Sequence, residues 1–242
     1  MANTIAPWGA QDEGHVAGSQ RTEELEQVWI PSSYAPPIFN GDLVVRWTSS
    51  LSDAGVGSFV SQGSSVTPAA GQYWVGVFRG CEFYNTLAQR MVVSRFFPGS
   101  GIAGTSSATG DIKAWIVSDP SYQFLVQTTS AASVFGSSNI GMSVQLGAAQ
   151  NGSSVFDSSA NGNYTTGLSG FGIQSAAALV GSSSPVKSAF RIVDFYSNRA
   201  PGNWMQTPSF GGSGGFVNGT DNTVSGQLLV VEPLDWERKA IG

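Results

Sequence analysis

The sequence predicts an all-β protein, a jelly-roll-like β-sandwich or barrel with an extended N-terminal arm, and three observations lead there. Only 11% of the 242 residues are charged, and Gly, Ser, Thr, Asn and Ala dominate, a composition that favours strands and turns over helices rich in Glu, Lys and Arg. Short runs alternate apolar with polar residues, the period of a half-buried strand. Gly, Pro and Asn turn signals separate these runs at short intervals, as in sandwiches and barrels. The aromatic rings, 11% of the chain, supply buried area that can offset chain entropy, so the body folds.

Residues 1–40 read as the arm. Asp12, Glu13, Glu23, Glu24 and Glu26 place five of the sixteen acids there, and Pro31, Pro36 and Pro37 forbid a continuous helix or a central strand. Thr22 to Trp29 is expected as a short helix, with Thr22 as N-cap and acids in the first turn. Such an arm gains order by lying on a partner, because it cannot bury enough of its own surface.

The body, residues 41–242, begins with the alternation Leu43, Val45, Trp47. Further strands are expected over Tyr73 to Phe78, Met91 to Phe97, Asp111 to Ser118, Tyr122 to Thr128, Ile140 to Leu146, Ser188 to Phe195 and Val224 to Val231. Pro98-Gly99, Asp119-Pro120, Asn151-Gly152, Asn161-Gly162 and Pro201-Gly202 supply turns. Gly167 to Ser184 and Ser209 to Gly215, rich in small residues, read as long loops. No fixed-period repeat is visible, which argues against a propeller or solenoid.

The chemistry-bearing residues are sparse. The single histidine, His15, falls in the arm, which leaves Ser/His and Cys/His catalysis without a base. Gly211 to Gly215 fits the nucleophile-elbow pattern but lacks its strand and helix. Gly99 to Gly104 fits a phosphate-loop spacing that no helix follows. With one His and one Cys there is no zinc set, and no loop has calcium-ligand spacing. Cys81 reads as a small buried side chain, since no cation or histidine is near in sequence to lower its pKa. Asp111, Asp119, Asp157 and Asp194 are candidates for a glycosidase pair, but nothing in the linear sequence pairs them and turns or strand starts explain three. The net charge of −5, without a Lys/Arg cluster, removes the counterion-release drive of nucleic-acid binding. No stretch approaches the length of a membrane-spanning helix, and no secretion signal is read. The expectation is a protein that is not an enzyme and takes no cofactor and no metal.

The string Gly71-Gln-Tyr-Trp-Val-Gly-Val-Phe-Arg-Gly-Cys-Glu-Phe-Tyr84, with Phe96-Phe97-Pro98-Gly99, Gly110-Asp-Ile-Lys-Ala-Trp-Ile-Val-Ser-Asp-Pro120, Tyr122-Gln-Phe-Leu-Val-Gln127 and later Ala189 to Phe195, resembles virion proteins of tailed phages. These are capsid cement or head-decoration proteins encoded near the major capsid protein. The resemblance covers about half the chain and implies a barrel or jelly-roll-like body, a homo-oligomer and no cofactor. It implies a protein made in the host cytoplasm and placed on the virion's capsid surface, where it bridges capsomers. The partners expected are the major capsid protein and self, as a homotrimer in preference to a homodimer. Because aromatic side chains anchor interfaces, the expected contacts are Trp8, Trp29, Ile30, Tyr34 and Phe39 in the arm, with Trp204, Phe210 and Trp236 later. The alternatives are a tail-associated carbohydrate- or receptor-binding module and a glycan hydrolase.

Overall fold

A computed structural model of the chain describes residues 9–15, 25–30, 34, 36–47, 60–62, 72–85, 88–99, 112–128, 139–148, 162–163, 167–176, 189–195 and 228–234. Among these the regular structure is all β, paired antiparallel within each sheet, with no α-helix. No helix there is long and apolar enough to cross a membrane.

The architecture hangs on one long strand, β5 (Gln72–Asn85). Its first half pairs with β3 (Leu43–Trp47), its middle with β7 (Ile112–Val117) and its end with β6 (Arg90–Ser94). Val77 faces both Leu43 and Val117, and Cys81 faces both Ala114 and Ser94. Thus β3 and β6 follow one another along one edge of β5, while β7 holds the other. β2 (Leu25–Ile30) adds to β7, and β4 (Val60–Gln62) adds to β3. Register shifts at Val44/Val45 and at Phe78/Gly80 bend the sheet, and its outer strands β2 and β4 approach one another.

A second, four-stranded sheet runs in the order β1 (Gln11–His15), β8 (Tyr122–Gln127), β14 (Leu228–Pro233), β13 (Phe190–Phe195). The pair β9 (Val144–Ala148) and β12 (Phe171–Ala176) is tied to it at both ends, by Ser143 bridging Arg191 and Thr128 bridging Ile173. A two-residue ladder of β10 (Gly162–Asn163) with β11 (Leu168–Ser169) completes the strands.

Alternation along the strands divides the buried side chains into two cores. Trp74, Val77, Leu43, Val45 and Val117 leave one face of the six-stranded sheet and meet Tyr122, Phe124, Val126, Phe190, Ile192, Leu229 and Val231 of the four-stranded sheet, with Phe171 and Ile173 from β12. The opposite face, Val28, Ile30, Val44, Val75, Phe78, Cys81, Ile112, Ala114 and Ile116, forms the second core, inside the curl, with Ile38 and Phe97. Each large apolar side chain so buried contributes about 1.5–3 kcal/mol. Having both faces of one sheet buried explains why Tyr73 to Phe78 carries apolar residues at nearly every position. Gly76 belongs to this run because a Cβ there would lie 2.6 Å from the Val117 carbonyl oxygen; a side chain at that position would force β5 and β7 apart.

The first forty residues differ from the expectation. Leu25–Ile30 is a strand, not the end of a helix: Val28 and Ile30 point into the curl and the whole segment pairs with β7. The pairing and the two-residue period outweigh the capping signal, which acts on only a few residues. β1 is likewise paired along β8, and Ile38 bridges Phe97. The described parts of this stretch therefore belong to the packed body and not to a free arm. The expected loop Gly167 to Ser184 also contains structure, since β11 and β12 fall inside it. Phe171 and Ile173, two residues apart among glycines and serines, carry that strand into the core.

Candidate interaction surface

Buried polar groups fasten the N-terminal strand to both sheets. Arg79 projects from β5, ion-pairs with Asp12 of β1, and donates from Nη1 to the Ala10 carbonyl at 3.1 Å. Its guanidinium carbon lies 5.9 Å from the centre of the Phe124 ring. Burial lowers its pKa to about 10, which keeps it charged at neutral pH. Nearby, buried Asp42 accepts from the Phe39 amide at 2.7 Å and from the Ser169 hydroxyl, and Ser169 Oγ in turn accepts from the Phe171 amide at 3.2 Å. Asp42 is fully buried, with one carboxylate oxygen on the Phe39 amide and the other on the Ser169 hydroxyl, while Arg79 is held by Asp12 and the Ala10 carbonyl, so the arrangement is a clamp between strands.

Of the residues singled out for reactivity, Asp119 and Cys81 have structural duties. Asp119 caps its own turn, accepting from Ser121 N at 2.8 Å and Ser121 Oγ at 2.7 Å. Asp194 lies on β13, while Asp111 and Asp157 are outside the described residues. Among the described residues no three His, Cys, Asp or Glu side chains gather as metal ligands. Cys81 is fully buried in the second core, as its sequence context indicated, and burial pushes its thiol from 9.0 up to about 12.

That shift makes a measurable link to stability. A folded-state pKa raised above the unfolded value gives stability that is complete below pH 9.0 and is lost as the pH climbs toward about 12. Arg79, whose pKa falls to about 10 on burial, acts in the opposite sense only above that pH. Between about pH 8 and about pH 10 the wild type is expected to lose about 1.4 kcal/mol relative to Cys81→Ala, read from urea unfolding of both proteins.

What the fold leaves for recognition is a sheet face. Residues paired across antiparallel strands project on the same side, so Gln27 with Trp115, Trp29 with Lys113, Lys113 with Glu82, Glu82 with Val93 and Tyr84 with Met91 share one face. It is the face that carries Val77 and Val117 into the first core. The covered part ends there: along β7 burial falls from Val117 to half-buried Trp115 and Lys113. Leu25, Met91 and Val93 are exposed, at 44%, 56% and 72%. The Lys113 ammonium lies 5.5 Å from the Trp115 ring centre, a cation-π contact that fixes both side chains. No protein-family model, curated protein or solved structure matches this chain.

Of the described anchors expected from sequence, Trp29 alone falls on this face. Ile30 and Phe39 are fully buried, so they build the core and present nothing to a partner; the pairing of β2 with β7 and the Asp42 clamp draw them inward. Tyr34 is half-buried, stacked on Phe97 with ring centres 6.4 Å apart. Trp8, Trp204, Phe210 and Trp236 lie outside the described residues. The face also holds Trp115, Tyr84, Met91 and Val93, which sequence reading passed over. The run Met91-Val92-Val93 is apolar on both sides of a strand, and periodicity alone does not say which side meets the core.

Proposed function

We propose that this protein is a structural component of a tailed-phage particle, a cement or decoration protein bound to the outside of the head, with a jelly-roll-like body. One observation carries the reading: a half-covered sheet face holds Trp29, Trp115 and Tyr84 beside exposed Leu25, Met91 and Val93. The segments that resemble decoration proteins form β5, β7 and β8, and two of these strands, β5 and β7, supply the middle of that face. Exposed apolar side chains on a sheet face support an interaction site on a protein surface, and tryptophan and tyrosine are the side chains that most often dominate binding. Attachment by such a face, repeated over a symmetric shell, adds contact area between neighbouring subunits. The major capsid protein is the partner proposed.

The test is titration of purified protein onto phage heads that lack it. Trp29→Ala and Trp115→Ala are each expected to weaken binding by about 2 kcal/mol, roughly 30-fold, with far-ultraviolet circular dichroism unchanged. Undiminished occupancy by the double variant sinks the reading. A second reading rests on the polar company of the same rings: Gln27, Glu82 and Lys113 beside Trp29 and Trp115 could hold a sugar, as in a tail-associated carbohydrate-binding module. Copy number separates the two, since a shell protein is present in large numbers per virion and a tail module in few.

A further inference from the structure

We propose that β6 is a self-pairing edge through which two copies of this chain join in an antiparallel two-fold dimer. Among the described residues β6 pairs only with β5, on one of its two edges. An unpaired edge presents a row of backbone donors and acceptors, and soluble proteins protect such rows with charge, proline or a bulge. β1, at the edge of the other sheet, has these protections: Asp12 lies on it and its register shifts between Asp12 and Gly14. β6 carries charge only at its first residue, Arg90, and has no bulge. Its ladder with β5 is regular from Arg90 to Ser94, and the hairpin turn is set by Asn85 Oδ1 accepting from the Ala88 amide at 2.9 Å, with Gln89 at φ 49°.

The sequence of β6 selects a second copy as the occupant. Its side chains alternate, with Met91 and Val93 out in water and Val92 and Ser94 half-buried. Opposed residues of an antiparallel pair share a face, so a two-fold pair of identical strands must place some residue opposite itself. Centring this strand puts Val92 on the axis, Met91 against Val93 of the other copy, and Arg90 against Ser94. Four exposed apolar side chains then close on one another in two cross-strand pairs, the unit of sheet stabilisation. No arginine faces its equivalent. The pairing makes one continuous sheet across the axis, so the Trp29 and Trp115 faces of two copies become one double-length surface. The inference stands whether or not that surface binds a capsid.

A strand edge of five residues buries far less than the ~800 Å² per partner of a standard interface, so the association is expected to be weak and reversible. Sedimentation velocity on the full chain from about 1 to about 100 µM brackets it. The wild type is expected to pass from monomer to dimer, and Val93→Lys to weaken the dimer at least tenfold while leaving circular dichroism unchanged, since the replaced side chain already stands in water. Val92→Cys is expected to form an interchain disulfide under mild oxidation, because a residue on the axis faces its own copy within disulfide reach; the buried Cys81 gives the wild type no such band. A wild type that stays monomeric throughout, a trimer, a dimer that survives Val93→Lys, or no disulfide from Val92→Cys overturns the proposal.

Discussion

Asp12→Ala is expected to destabilise the protein by about 3 kcal/mol, and the measurement is urea unfolding at neutral pH. The Arg79 guanidinium is already mostly withdrawn from water, its pKa lowered by burial to about 10, and its Nε has no hydrogen-bond partner among the described residues. Removing the carboxylate leaves a buried positive charge whose remaining anchors are the Ala10 carbonyl and the Phe124 ring. Breaking a buried pair on one side costs about 3–5 kcal/mol, whereas replacing both partners by apolar groups is often close to neutral. The partial exposure of Asp12 sets the lower end of that range. The double variant Asp12→Ala with Arg79→Met is accordingly expected to be more stable than Asp12→Ala alone. Equal destabilisation by the single and double variants would show that the loss comes from the β1 strand itself and not from an abandoned charge.

Trp74→Ala is expected to cost about 3–5 kcal/mol, with the largest effect of any single core truncation. Trp74 is among the largest side chains buried completely, in the core shared by the six-stranded and four-stranded sheets. It projects from β5, the strand that β3, β6 and β7 all use. The cavity opens where strands from separate sheets meet, so collapse to fill it requires whole sheets to move, and close-packed interiors relax only in part. The thermal midpoint is the readout, and a shift of less than a few degrees would place Trp74 at a more accommodating site than its burial indicates. The same variant bears on recognition: Val77 and Val117 share this core with Trp74 and lie on the face that continues into Trp115 and Lys113. Loosening Trp74 is therefore expected to lower affinity along with stability.

The exposed face has a simple origin. β7 alternates with a two-residue period throughout, and its Ile112, Ala114 and Ile116 side enters the curled sheet. The other side, Lys113, Trp115 and Val117, starts under the four-stranded sheet and runs out from beneath it. A tryptophan and a lysine at the uncovered positions keep one aromatic surface partly wet. Nothing in the local sequence distinguishes Trp115 from Trp74, since both stand in β-rich apolar runs; one is buried because another sheet lies above it.

The sequence by itself determined the strand-forming character of this chain, the approximate places of most central strands, the turn at Asp119-Pro120 and the burial of Cys81. Those properties rest on local quantities: composition, a two-residue period, turn chemistry and the charge of near neighbours. Only the tertiary structure decided that Leu25–Ile30 is a strand, that Phe171–Ala176 is one too, that Ile30 and Phe39 are core, and that Trp115, Met91 and Val93 are left on a surface. Each depends on which strand comes to lie beside or above another, and that is settled by contacts between residues far apart in the chain, which no window of sequence contains.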